Sequence, residues 1–125
     1  MIPTPDPSRI PWPRRALAAL GAVLAAASVA LFAYAAHSAE PQVQASLHSA
    51  ALFAFGHGIA LATLASGAGR RLAMVALCML LLGTVLFSGS LASAHAFGTP
   101  TSLAPLGGSL MILAWLLWAA DRLRY

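Results

Sequence analysis

The chain is 125 residues long, 60% hydrophobic and only 8% charged, with a net charge of +4. A soluble domain usually carries roughly 25% charged residues, so this composition excludes a water-covered surface and leaves lipid as the solvent. The length fits a single domain; the positive charge would suit nucleic acid, but its placement argues for membrane topology instead, because every base is an arginine beside an apolar run.

Residues 1–15 hold Pro3, Pro5, Pro7, Pro11 and Pro13. Repeated proline removes backbone donors and blocks helix, so a proline-rich flexible tail is expected, with Trp12 as an interfacial anchor. Residues 16–121 then read as one membrane domain. Its spans are expected at about 16–36, 46–66, 72–94 and 103–120, since ~20 apolar residues at ~1.5 Å each cross a ~30 Å core. The first is alanine-rich, with Gly21, Ala25 and Ser28 close to one helical face. Ala33-Tyr34-Ala35 resembles a signal-peptidase site, but the apolar run exceeds the ~7–15 residues of a signal core. A short polar connection with Glu40 and Pro41 follows. Gly67-Ala68-Gly69-Arg70-Arg71 is a charged turn, and Gly98-Thr99-Pro100-Thr101-Ser102 has turn chemistry. The fourth span is the shortest and is supported by Trp115 and Trp118. Residues 122–125 close the chain.

The fold class expected is therefore all-α: a polytopic integral membrane protein with four transmembrane helices in a compact bundle. With four spans, Arg9, Arg14, Arg15, Arg70, Arg71, Arg122 and Arg124 all fall on one side. The positive-inside rule puts that side, and both termini, in the cytoplasm. The lipid bilayer is the obligatory partner, and the arginines are candidates for anionic lipid. No nucleic acid is expected as a partner. A protein partner or a homo-oligomer is left open.

The third span carries small and hydroxylated residues, Gly83-Thr84-Val85-Leu86-Phe87-Ser88-Gly89-Ser90-Leu91. In lipid such residues let helices approach closely and bond across the contact. Gly83, Thr84, Ser88, Gly89 and Ser90, with Gly107 and Gly108 after Pro105, are expected to form a helix-packing seam. The single cysteine, Cys78, reads as a small packing residue.

There are four histidines. His37, His48 and His95 are expected near the outer interface, facing headgroups and water. His57 is expected near mid-membrane, where an ionisable group merits a functional hypothesis. Ser28 and Thr84 lie at similar depth on neighbouring spans and are its expected polar partners. No Asp or Glu lies within the expected spans, so His57 is read as a neutral interhelical contact, with proton relay as the alternative. No histidine pair has zinc-motif spacing. The sequence shows no phosphate loop, nucleophile elbow, paired carboxylates or thiolate cluster. No catalytic residue, cofactor or metal is expected, and the chain is not read as an enzyme.

At these residues the sequence resembles a known family, the small four-helix bacterial membrane proteins of unknown function typified by YgdD (domain of unknown function 423). Gly83 to Leu91 is similar to its third-span motif. Pro105-Leu106-Gly107-Gly108 with Ala114-Trp115, Ala33-Tyr34-Ala35-Ala36-His37 and His57-Gly58-Ile59-Ala60-Leu61 resemble its other spans in the correct order. Phe32, Ala35 and Ala114 replace family glycines, and Phe53-Ala54 replaces a Tyr-Gln pair before the second-span histidine. The resemblance implies an inner-membrane protein with no established activity. The expected role is a non-enzymatic membrane component or an interaction and assembly partner. The alternative is a small transporter or proton-handling protein centred on His57.

Overall fold

The computed structural model describes residues 2, 3, 6, 9–38 and 40–124. Residues 1, 4, 5, 7 and 8 of the expected tail, Ala39 in the first connection and Tyr125 lie outside the described residues. Helices α1 (Trp12–Ala36), α2 (Pro41–Leu64), α3 (Arg71–Phe97) and α4 (Leu103–Arg124) follow in order, and a 3-10 turn, Ala65–Gly67, extends α2. All four helices are long and apolar enough to cross a membrane. The chain is an all-α, multi-pass membrane protein.

The helices outrun the apolar stretches that announce them. Helix α1 starts at Trp12 and takes Pro13 into its first turn, and α2 starts at Pro41. Proline is tolerated there because a first-turn N–H has no acceptor within the helix. Helix α3 ends where Gly98, at φ 67°, turns left-handed and donates its N–H to the Ala94 carbonyl at 3.0 Å. Helix α4 continues through Arg124, so Asp121, expected to lie just past the last span, is part of the helix.

Two hairpins organise the bundle. Helix α1 packs on α2, α3 packs on α4, and α2 against α3 joins the pairs. Each hairpin closes on a pair of glycines. A Cβ built on Gly21 would stand 2.6 Å from the Gly58 carbonyl oxygen, and one on Gly58 would stand 2.7 Å from the Gly21 carbonyl oxygen. In the second hairpin a Cβ on Gly83 would lie 2.8 Å from the Gly107 oxygen, and one on Gly107 would lie 2.6 Å from the Gly83 oxygen. The two crossings share a detail. Each glycine also faces the backbone nitrogen four residues beyond its partner: Ala62, Ala25, Met111 and Phe87.

The hairpins differ in their arms. Beyond their crossing, α1 and α2 both run ~22–26 Å to the first connection, at ~1.5 Å per residue. In the second hairpin α3 runs ~21 Å past Gly83, while only ~6 Å of α4 precedes Gly107. The far end of α3 therefore projects beyond α4, and the connection at residues 98–102 folds back along it. Thr99, Pro100 and Leu103 face Val85, Gly89 and Ser93 there across an open cleft of about 390 Å³.

The densest core lies at the opposite end, beside the arginines. Leu17, Leu61, Ala65, Ala68, Ala73, Leu77, Leu80, Met111 and Ala114 form one buried cluster drawing on all four helices. Leu20, Val23, Val29, Ile59, Val75, Leu82, Ile112 and Leu116 remain exposed, as lipid-facing residues do.

Candidate functional site

The polar side chains of a membrane bundle are the natural place to look for chemistry, because each costs free energy in lipid unless it is bonded. The four apolar helices bring theirs together mainly where one hairpin meets the other.

His57 sits on α2, half-buried, across from Trp115 on α4. The Trp115 indole donates Nε1–H to His57 Nε2 at 3.1 Å. Indole nitrogen is a donor only, so Nε2 carries the lone pair and the proton resides on Nδ1. Nδ1–H then donates to the Phe53 carbonyl of its own helix at 2.8 Å. Both ring nitrogens are occupied. It stacks on Phe53, with centroids 5.9 Å apart, and Phe53 meets Phe87 of α3 edge-on at 4.8 Å.

The expected trio of Ser28, His57 and Thr84 is not joined by hydrogen bonds. Ser28 donates to the Ala25 carbonyl at 2.6 Å, and Thr84 donates to the Leu80 carbonyl at 2.7 Å. Both hydroxyls are buried and back-bond to their own helices, the option open to any helical Ser or Thr in lipid. Trp115 supplies the interhelical bond in their place.

The small-residue stretch of α3 divides in the same way. Gly83 and Gly107 face each other at the second crossing. Ser88 donates to the Ala50 carbonyl of α2 at 2.8 Å, a buried bond between the hairpins. The Ser90 hydroxyl is buried with no partner among the described residues. Gly89 and Gly108 correct the expected seam: a Cβ on either would meet nothing within 4 Å. Neither is in contact with a neighbouring helix. The first crossing, at Gly21 and Gly58, lay outside the expected seam.

At the far end of α3, Tyr34 Oη and His95 Nε2 are 3.1 Å apart, tying α1 to α3. His48 meets Phe32 edge-on at 4.9 Å. Among the described residues no three His, Cys, Asp or Glu side chains converge on one point.

Asp121 is the feature that sequence reasoning missed. It lies in the last turn of α4 with 0% exposure. Its Oδ2 accepts from Arg70 Nη1 at 3.4 Å and lies 3.9 Å from Arg122 Nε. Its Oδ1 is buried without a partner among the described residues. A carboxylate at a helix C-terminus opposes the helix dipole, so the two guanidiniums offset both the burial and the dipole. Arg122 also lies over the Trp118 ring, 4.5 Å from its centroid. On the other flank Arg14 donates to the Ser66 carbonyl at 3.2 Å, fixing the start of α1 to the end of α2.

Residues 31–108 match a family model described as "Protein of unknown function (DUF423)". No curated protein and no solved structure matches the chain.

Proposed function

The chain belongs to DUF423, a family of proteins of unknown function, and we propose that it acts as a non-enzymatic component of the bacterial inner membrane, an interaction or assembly partner held with both termini in the cytoplasm. The orientation follows from the arginines, which stand at the start of α1, in the α2–α3 turn and at the end of α4. That end meets the leaflet whose anionic lipids attract basic side chains.

The observation that favours this reading over proton handling is the saturation of His57. A relay needs a group on each side that can take up and release a proton. His57 is bracketed by an indole N–H and a backbone carbonyl, neither of which titrates in the relevant range. The ring is therefore a bonded strut between α2 and α4. A carboxylate does lie within α4, but Asp121 sits among arginines at the cytoplasmic end, whereas Trp115 reaches His57 about 9 Å further along the helix.

Two measurements test the proposal. Proton flux in proteoliposomes should be at background for wild type, His57→Gln and His57→Leu alike. Wild-type flux abolished by both substitutions would replace this reading with the alternative, a small transporter or proton-handling protein centred on His57. Separately, reporter fusions after Arg71 and after Tyr125 should read cytoplasmic, and fusions near Glu40 and Thr101 periplasmic. A periplasmic C-terminus would refute the orientation.

A further inference from the structure

We infer that the outer face of α3 carries a specific site for one anionic glycerophospholipid, with its phosphate at Arg71 and an acyl chain laid along Met74, Val75, Cys78, Met79 and Leu82. These residues line an open groove of about 320 Å³. Their spacing keeps them on a single stripe of the helix. The groove runs about 16 Å from Arg71 to Leu82 at ~1.5 Å per residue. That is roughly half of a ~30 Å hydrocarbon core, the depth of one leaflet. Val75, Cys78 and Leu82 are exposed, and the half-buried Met74 and Met79 pack on the core cluster and form the floor. Methionine suits this position because its unbranched, polarisable chain conforms to an irregular neighbour.

Charge singles out the occupant. Arg9 pairs with Asp6, Arg14 with the Ser66 carbonyl, and Arg70 and Arg122 with Asp121. Among the described residues Arg71 has no hydrogen bond or ion pair, and it stands exposed at the mouth of the groove. No acidic residue lies in the first turn of α3, and the Asp121 carboxylate is buried against Arg70. An unneutralised guanidinium heading an apolar groove at the membrane surface matches an anionic headgroup above an acyl chain. A guanidinium also binds phosphate through paired N–H donors. Arg15 is the other arginine without a partner among the described residues. Its groove, bounded by Trp12, Ala16, Ala19 and Leu20, reaches only about 8 Å past it, half the reach of the groove below Arg71.

This site deepens the proposed membrane role and rests on it for the leaflet in which the lipid is met. Retention of lipid in micelles does not depend on orientation, so its failure would leave the topology result standing. The test is native mass spectrometry of the full chain in detergent with equimolar palmitoyl-oleoyl phosphatidylglycerol and phosphatidylcholine. Wild type should keep one phosphatidylglycerol in preference. Arg71→Gln should reduce that preference about fivefold, while Arg15→Gln, which removes the same charge, leaves it in place. Cys78→Trp, which fills the groove from the lipid side, should lower retention of both lipids with the thermal transition unchanged. Excess inorganic phosphate should not displace the bound lipid. Equal retention of the two lipids, equal losses in Arg71→Gln and Arg15→Gln, full retention in Cys78→Trp, or displacement by phosphate would each overturn the site.

Discussion

Inside each hairpin the helices meet backbone to backbone; between the hairpins they meet through side chains. Gly21 against Gly58 and Gly83 against Gly107 leave no room for a methyl group. The joints between hairpins are Ser88 to the Ala50 carbonyl, Trp115 to His57, and Tyr34 to His95, while Arg70, the cap of α3, pairs with Asp121 of α4 inside the second hairpin. Lipid offers no hydrophobic drive for helices to associate, so close packing and hydrogen bonds must do it. Backbone meets backbone only at the glycine crossings, and those lie within the hairpins. Hydrogen bonds are short and directional, and, carried on side chains that span the gap, they fix how the two hairpins sit on each other. The difference describes a two-level assembly: hairpins as units, then their registration.

The largest effects should therefore come from the crossings. Gly58→Ala and Gly107→Ala each place a methyl group under 3 Å from partner backbone. Backbone cannot swing aside as a side chain can, so each hairpin must open. Overpacking of this kind typically costs 1–3 kcal/mol. Gly89→Ala and Gly108→Ala add the same methyl group where it meets nothing within 4 Å, and should be close to neutral. Thermal unfolding in detergent measures all four. Equal losses across the set would remove the distinction between crossing and open face.

Next in size should be Asp121, whose ion pair with Arg70 ties the end of α4 to the start of α3 within the second hairpin. Asp121→Asn keeps the shape and removes the charge that Arg70 and Arg122 face. The Arg70 side chain is 41% exposed, so water can take up its charge and the loss is discounted to about 1 kcal/mol. The double substitution with Arg70→Gln should lose less than the sum of the two singles. Strict additivity in the same unfolding assay would mean that the two side chains do not support each other.

The sequence showed the first level better than the second, for physical reasons. Four apolar runs and one-sided arginines follow from composition, which lipid constrains directly. Gly83 and Gly107 stood out because small residues cluster around them. Gly89 and Gly108 were grouped with them as neighbours in a linear stretch, yet at ~100° per residue Gly89 lies about 120° round the helix from Gly83, and Gly108 about 100° from Gly107. Gly21 and Gly58 carried a legible signal, since each is followed four residues on by alanine, the small-x-x-x-small spacing that permits close approach. Gly58 was obscured by the histidine beside it. Asp121 was read as a flank because hydropathy ends a span at its first charge. Its burial depends on the α2–α3 turn delivering Arg70, a tertiary fact. Depth along the bilayer suggested Ser28 and Thr84 as partners of His57. Depth says nothing about which way a hydroxyl turns, and both turn to their own helices.

The smallest effect should come from the joint between α2 and α4. Trp115→Phe keeps an aromatic ring and removes the only donor that reaches His57 Nε2 among the described residues. The bond on the other nitrogen stays within α2, so the substitution breaks one of the two bonds. Interhelical hydrogen bonds in lipid average about 0.6 kcal/mol, and Trp115 is itself 39% exposed. His57→Gln can restore both contacts, its amide donating to the Phe53 carbonyl and its oxygen accepting from the indole, and should be nearly silent. His57→Leu loses both. A double-mutant cycle of His57→Leu with Trp115→Phe should then give a coupling of about 0.6 kcal/mol. Trp115 fluorescence should shift in His57→Leu and hold in His57→Gln, because only the former frees the indole N–H. A coupling of zero, with unshifted emission in His57→Leu, would mean that the ring and the indole are neighbours without a bond. The registration of the two hairpins would then rest on Ser88 and Tyr34.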